Sequence, residues 1–238
     1  MSENNFALVG ASLSNKCISS LRTLGYEVIV LPPYDRLGVE TRTHTDMFIF
    51  ILGKIILTFG DYTLPESAAG KLSQAGFDII RASELPENVY PKDVLLNALT
   101  VGEFIFAKLD SMSSDIKDIA EGYGYELINV KQGYARCSAC PLSGEAIITA
   151  DPSIAKAAEG VGIDVLRISS GGVSLAGFDY GFIGGACGVD GNRLYFAGDI
   201  SLHPNGKEIA EFCQRHGKTA VSLSDEPLYD VGSIFFIH

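Results

Sequence analysis

One local pattern recurs along this chain: an amphipathic helix, a glycine, and then an apolar strand. The glycines that separate helix from strand are Gly25, Gly76, Gly124, Gly162 and Gly217. Glycine ends helices because it adopts the left-handed conformation without steric cost. The copies recur roughly every 40 to 55 residues, a period typical of repeat architectures. This repeat constrains the fold more than any other feature of the sequence.

Two further strand patterns precede the second to fifth helices, and a tight turn joins them. The predicted pairs are 44–51 with 54–59, 90–97 with 103–107, 134–142 with 145–149, and 178–187 with 193–197. The turn Asp190-Gly191-Asn192 is a strong hairpin signal, because these residue types tolerate positive φ. Each unit therefore has the order strand, strand, helix, strand.

The first unit is split between the two ends of the chain. The sequence opens on that unit's second strand, 6–10, and its missing first strand is predicted at 229–238. Pairing these strands would close a ring and remove exposed sheet edges. We therefore predict an α/β protein built as a closed five-fold pseudosymmetric propeller of ββαβ units, in a single domain over residues 1–238.

Composition limits the partners that such a domain can have. The formal net charge is −11, which argues against nucleic acid, since binding a phosphate backbone needs clustered Lys and Arg. The longest apolar run is too short to span a membrane. The five cysteines do not suggest a disulfide framework, and 1–10 lacks the pattern of a signal peptide, so we expect a cytoplasmic protein. A homodimer is compatible with the sequence.

Three short motifs fall on strands that the ring would bring together. They are His44-Thr45-Asp46-Met47-Phe48, Arg136-Cys137-Ser138-Ala139-Cys140-Pro141-Leu142 and Tyr229-Asp230-Val231-Gly232-Ser233-Ile234. The motifs and the five-unit ring resemble the pentein superfamily of guanidino-group-modifying enzymes, which includes arginine and agmatine deiminases, dimethylarginine hydrolase and amidinotransferases.

This resemblance implies roles for individual residues. Cys137 would be the catalytic nucleophile, His44 the acid/base, and Asp46 and Asp230 the carboxylates that bind a cationic small-molecule substrate. Asp93 would be either a third substrate-binding carboxylate or an acid in a turn. The implied function is a cysteine-dependent hydrolase or transferase acting on a guanidino or amidino compound, with no metal or organic cofactor.

Alternative interpretations remain open for the same residues. A cysteine on a strand is usually a small buried core residue. Cys137 and Cys140, with His44 and Cys187, would make a four-ligand metal set of the kind a structural zinc needs. At 183–185 the sequence has no acid where the remaining unit would supply one, which favours a non-catalytic binding protein. The linker 169–177 is either a plain loop or a mobile flap.

Overall fold

The computed structural model describes residues 5–238, so the first four residues of the predicted domain lie outside the described part. The strands are Phe6–Gly10 (β1), Glu27–Leu31 (β2), Ile49–Leu52 (β3), Ile55–Phe59 (β4), Asp78–Ala82 (β5), Leu99–Val101 (β6), Phe104–Ala107 (β7), Glu126–Asn129 (β8), Ala139–Ser143 (β9), Ala146–Thr149 (β10), Asp164–Arg167 (β11), Val173–Ser174 (β12), Cys187–Asp190 (β13), Arg193–Phe196 (β14), Thr219–Ser222 (β15), Leu228–Tyr229 (β16) and Phe235–Ile237 (β17). The α-helices are Asn15–Thr23 (α1), Thr45–Phe48 (α2), Glu66–Gln74 (α3), Ser114–Tyr123 (α4), Ala135–Ser138 (α5), Pro152–Gly160 (α6) and Gly206–Arg215 (α7), and Ile200–Leu202 forms a 3-10 helix.

Five three-stranded sheets confirm the predicted repeat. Their strand orders are β17-β1-β2, β3-β4-β5, β6-β7-β8, β9-β10-β11 and β13-β14-β15. In each of these strand orders the middle strand runs antiparallel to the first strand and parallel to the third strand, which follows the helix. Middle strands such as β1, β4 and β10 are buried along their whole length, as expected for strands covered on both faces.

The C-terminal strand completes the first sheet, as predicted. Phe6 pairs with Ile237 and Leu8 with Phe235 in an antiparallel ladder. The strand predicted over 229–238 is nevertheless interrupted, because β16 ends at Tyr229 and β17 begins only at Phe235. Gly232 (φ 72°) and Ser233 (φ 70°) adopt the left-handed conformation between them, and this backbone cannot continue a strand.

The first strands of the other units also begin later than predicted. The segments predicted as strands from residues 44 and 134 start with single helical turns, α2 and α5. The backbone nitrogen of Met47 donates to His44 O at 3.0 Å, and that of Ser138 to Tyr134 O at 2.9 Å. In the third unit the first strand begins at Leu99, beyond the predicted range 90–97. In the fifth unit it begins at Cys187, the last residue of the predicted range 178–187. A turn therefore stands where each of these strands approaches the centre of the ring.

Local sequence explains the longer helices. Asp151 caps α6, and its carboxylate accepts from the backbone nitrogens of Ser153 and Ile154 at 2.9 Å. Gly124 ends α4 in the left-handed conformation. Helix residues such as Cys17 and Cys213 are buried in the hydrophobic core. Within residues 5–238, no helix is long and apolar enough to cross a bilayer.

Candidate active site

The helical turns bring His44, Asp46 and Cys137 together. His44 precedes α2, Asp46 lies within it, and Cys137 lies in α5. One donor atom from each of the three side chains lies within 4.8 Å of the other two. All three side chains are buried. Residues separated by about two units of the repeat therefore meet in one cluster.

Asp230 completes this cluster from the interrupted C-terminal strand. Its Oδ1 lies 3.6 Å from His44 Nδ1. The carboxylate accepts hydrogen bonds from the backbone nitrogens of Phe182 at 2.9 Å and Gly232 at 3.1 Å. Burial raises the pKa of Asp230 to about 6, although these two backbone donors act in the opposite direction. The site thus fixes the orientation of a carboxyl group that titrates near neutral pH.

Asp46 is the second buried carboxyl group. Ser233 Oγ donates to its Oδ2 at 2.5 Å, whereas its Oδ1 has no hydrogen-bond partner among residues 5–238. Burial raises the pKa of Asp46; His44 counteracts this effect, and Asp230 reinforces it. A buried acceptor without a partner is costly to maintain, and a positively charged hydrogen-bond donor would satisfy it.

Cys137 is held as a neutral thiol in the unliganded protein. Burial raises its pKa well above the ordinary value, and the charges of Asp46 and Asp230 add to this effect. Asn97 Nδ2 approaches its Sγ at 3.1 Å. Burial also lowers the pKa of His44, so the imidazole beside the thiol is neutral at pH 7.

The thiol faces a cavity of about 100 Å³. The lining residues are Thr41, His44, Met47, Tyr134, Cys137, Leu175, Phe178, Tyr180, Phe182 and Asp230. Drug-sized ligands occupy pockets of about 300–1,000 Å³, so this cavity suits a small group such as the head of a larger molecule. Cys137 therefore lies beside His44 and Asp230 around one small cavity and is 3% exposed.

The segment 175–182 covers this cavity. Phe178 and Tyr180 are 57% and 44% exposed although both line it. Before them, Val173–Ser174 pairs in parallel with Leu228–Tyr229, so the linker 169–177 contains a short strand as well as loop. After them, the backbone nitrogen of Phe182 is bonded to Asp230. A larger ligand would enter by displacing the stretch between these two attachments.

Asp93 lies behind Tyr134 in the wall of the cavity. Tyr134 Oη donates to Asp93 Oδ2 at 2.7 Å, and Asp93 is 7% exposed. Tyr134 itself faces the cavity. This geometry suits Asp93 to orienting Tyr134, and direct substrate binding by Asp93 stays a prediction.

Gly184 and Gly185 lie in the segment where the remaining unit of the repeat would supply an acidic side chain. A Cβ on Gly185 would lie 2.0 Å from Asp230 Oδ1, and one on Gly184 would lie 2.3 Å from Arg136 O. No side chain fits at such distances. The fifth unit therefore contributes backbone that closes around Asp230, and Asp230 supplies the carboxylate at this place.

The four-ligand metal set predicted from Cys137, Cys140, Cys187 and His44 does not assemble. Cys140 and Cys187 pack together in a different core cluster from Cys137. The residues that do converge, His44, Asp46 and Cys137, offer three donors of types that bind zinc. A structural zinc site needs four protein ligands, so this set does not fit one.

Two site residues were missed by the sequence interpretation. Asn97 is 2% exposed and connects two units, because its Oδ1 accepts from Arg136 N at 2.8 Å and its Nδ2 donates to Asp46 O at 3.0 Å. Ser233 holds Asp46. A short polar side chain at the inner end of an otherwise apolar segment was the available signal for both.

Replacing Asn97 by leucine should lower the free energy of unfolding by about 2–3 kcal/mol, because buried backbone groups on two units would lose their partners. Asn97→Asp keeps the acceptor oxygen but removes the Nδ2 donor to Asp46 O and to Cys137 Sγ. Urea unfolding of both variants checks this. A loss below about 0.5 kcal/mol in Asn97→Leu, the range of ordinary surface substitutions, would contradict the bridging role.

Solved structures share this architecture. An agmatine deiminase from C. jejuni matches with a TM-score of 0.56 at 10% identity, over 94% of this chain and 88% of that one. An amidinotransferase of saxitoxin biosynthesis from Microseira wollei matches with a TM-score of 0.56 at 11% identity, over 91% and 78%. DDAH from Pseudomonas aeruginosa, complexed with citrulline, matches with a TM-score of 0.52 at 10% identity, over 92% of both chains. These likenesses confirm the predicted pentein fold.

No curated protein sequence matches the chain. A family model does match, and it spans residues 8–235, which covers all five sheets almost completely. The chain therefore belongs to the family of unknown function DUF6873.

Proposed function

We propose that this protein is a cysteine-dependent hydrolase or transferase acting on a small molecule with a guanidino or amidino group. The observation that carries the proposal is the arrangement of one thiol, one imidazole and one carboxyl group around a single small cavity, with Asp46 beside them. The pentein fold supports the proposal, since the solved structures it resembles include an agmatine deiminase and an amidinotransferase.

Binding would depend on the two carboxyl groups. A guanidinium or amidinium ion is planar, and it donates paired hydrogen bonds to carboxylates. Asp230 Oδ1 lies 3.6 Å from His44 Nδ1 at the cavity, and Asp46 Oδ1 has no hydrogen-bond partner within residues 5–238. The aromatic side chains of Tyr134 and Phe182 line the same cavity and would stack on a planar cation. The site thus offers both charge and shape complementarity to this class of ligand.

The bound cation would activate the nucleophile. In the unliganded site Asp46 and Asp230 disfavour a second negative charge on Cys137. A cation placed between these groups reverses that effect, because an opposite charge within about 4–6 Å lowers a pKa by about 1–3 units. A bound cationic substrate would therefore lower the pKa of Cys137 and favour its ionisation.

The reaction then proceeds in two balanced steps. Cys137 Sγ forms a bond to the amidino carbon, and His44 takes the thiol proton. The carbon–nitrogen bond to the leaving amine breaks as His44 returns that proton to the departing nitrogen. Water in a hydrolase, or an acceptor amine in a transferase, attacks the same carbon while His44 takes its proton. The carbon–sulfur bond breaks, and His44 gives this proton to Cys137 Sγ. Cys137 is regenerated without any redox change.

A pair of nearly isosteric probes tests the proposal. We expect 2-chloroacetamidine, which is a cation, to alkylate Cys137 about 10–1,000-fold faster than neutral chloroacetamide, because only the cation lowers the thiol pKa. Peptide mass spectrometry at pH 7 measures both rates at each cysteine. Cys140 is the matched control, since it is buried three positions along the chain and outside the cavity.

Equal rates for the two probes at Cys137 would contradict the proposal. Labelling at Cys137 no faster than at Cys140 would do so as well, since the thiol would then behave as a core residue. Stoichiometric zinc found by elemental analysis of the purified protein would support a metal site at His44, Asp46 and Cys137 instead.

Affinity for a cation should depend on pH through Asp230. Its pKa is raised to about 6, so the carboxylate is mostly protonated at pH 5 and mostly ionised at pH 7. Binding of acetamidinium, which stays charged throughout, should strengthen about tenfold over this interval. Calorimetric titration of a Cys137→Ser variant measures it without covalent reaction. The rise should disappear in Asp230→Asn, and a rise that persists there would contradict the assignment.

A non-catalytic binding protein is the second candidate. The observation that favours it is the strongly raised pKa of Cys137, which burial keeps as a thiol in the unliganded protein. Such a protein would bind acetamidinium with the same pH dependence. It would release no product from any guanidino compound.

A further inference from the structure

A second opening reaches the same cluster from the other end of the ring. This opening, which we call the axial channel, has a volume of about 360 Å³, lies beside the contacting hairpin turns at Gly102 and Gly144, and is lined by Asp46 and Arg136. His44, Cys137 and Asp230 face the smaller cavity already described. Asp46 thus lies between two separate spaces, and the channel does not overlap the proposed substrate cavity.

Arg136 is a buried cation with few partners. It is 7% exposed. Of the five N–H groups of a guanidinium, one donates to a protein acceptor in residues 5–238, through NH1 to Gly184 O at 3.0 Å. No carboxylate oxygen of this part of the chain lies within 4.0 Å of its nitrogens. Its positive charge acts on the buried carboxyl groups of Asp46 and Asp230, where it opposes the burial that raises their pKa values.

The surroundings of Arg136 favour a ligand in the channel. Its guanidinium carbon lies 5.4 Å from the centre of the Phe235 ring, and this contact fixes the plane of the group. Phe235 and Lys218 line the same channel, so a second cation stands along the path. The chain as a whole carries a net charge of −11. Two cationic side chains therefore line the channel together with Asp46, and the Lys218 ammonium donates to Gly191 O.

We infer that the axial channel binds a small oxyanion, a carboxylate or a phosphate, at Arg136. A planar guanidinium with free N–H groups matches the paired oxygens of such an anion. The negative charge of Asp46 would repel an anion in the channel. Asp46 Oδ2 accepts a hydrogen bond from Ser233, so this oxygen is directed toward Ser233. The bound oxyanion would accept hydrogen bonds from the Arg136 N–H groups that have no acceptor in residues 5–238. This inference does not depend on the proposed chemistry at Cys137.

Amide NMR titration of the full chain tests the site. Acetate and inorganic phosphate are separate arms that distinguish the two classes of oxyanion, and chloride is the spherical control. We expect saturable shifts at Gly184, Ile234 and Phe235 for at least one oxyanion, with weaker binding of chloride. Arg136→Gln should weaken that binding about tenfold or more, because hydrogen bonds to a charged group are lost.

Two further variants make the result decisive. Lys117→Gln removes one exposed charge from α4 and should leave the affinity unchanged, which controls for general screening. Thr100→Phe fills the channel that Thr100 lines but keeps Arg136, so it should also abolish the shifts if Arg136→Gln does not fold. Linear, non-saturable shifts with every anion, or saturable binding that survives both channel variants, would overturn the inference.

Discussion

Cys137→Ala is expected to lower turnover of guanidino compounds by about 10⁴-fold or more, since covalent catalysis cannot proceed without the nucleophile. The measurement is release of ammonia or amine from a panel of compounds that carry a guanidino or amidino head on tails of increasing length. The small volume of the cavity, about 100 Å³, leads us to expect that the head group sets reactivity. Tail length should act mainly through displacement of the segment 175–182.

Cys140→Ala is the matched control for this prediction. Cys140 follows Cys137 by three residues, is equally buried, and packs in another core cluster. It should lower stability without removing activity, because it faces no cavity-lining group. Equal loss of turnover in the two variants would show that the effect of Cys137→Ala is structural. Absence of turnover with every compound in the wild-type protein would favour the binding protein.

The fold was predictable because its information is local and repeated. Each of the five longer α-helices is followed within two residues by a glycine in the left-handed conformation, and examples are Gly76 (φ 82°) and Gly217 (φ 67°). A unit that cannot bury its own apolar faces must pack on its neighbours, so five such units define a ring. The split first unit then determines that Phe235–Ile237 pairs with Phe6–Gly10.

The start of each inner strand was not predictable from the same pattern. α2 and α5 are four residues long, and a segment of this length is too short for its periodicity to distinguish a helical turn from a strand. These turns decide where His44 and Cys137 point. The sequence motifs therefore identified the residue types of the site, whereas their geometry depends on contacts between units.

Asn97 and Ser233 show why the rest of the site was missed. Asn97 bonds to Arg136, 39 positions away in the chain, and Ser233 bonds to Asp46, 187 positions away. Long-range polar pairs of this kind leave no periodic trace in a single sequence. In the sequence, Gly184 and Gly185 similarly indicated that an acid is missing. In the structure, neighbouring atoms leave no room for a side chain at either position, and at Gly185 these atoms belong to Asp230.

Gly232→Ala should destabilise the protein by about 4 kcal/mol, which is the second large effect that we expect. A Cβ at this position would lie 2.1 Å from His44 Cα, so the backbones that carry Asp230 and His44 would be forced apart. The residue also has φ +72°, where an L side chain costs about 1–2 kcal/mol. The remainder is overpacking against backbone that cannot rotate away.

Gly76→Ala separates these two contributions. Gly76 has φ +82°, yet nothing lies within 4 Å of the Cβ that alanine would add. It should therefore lose only about 1–2 kcal/mol, the cost of the left-handed conformation alone. Urea unfolding measures the loss of stability in each variant. The difference between the two losses is the energetic cost of the close approach between the segments that carry Gly232 and His44. Since that approach sets the distance between His44 Nδ1 and Asp230 Oδ1, equal losses in the two variants would mean that the backbones can separate freely and that the site is not preorganised.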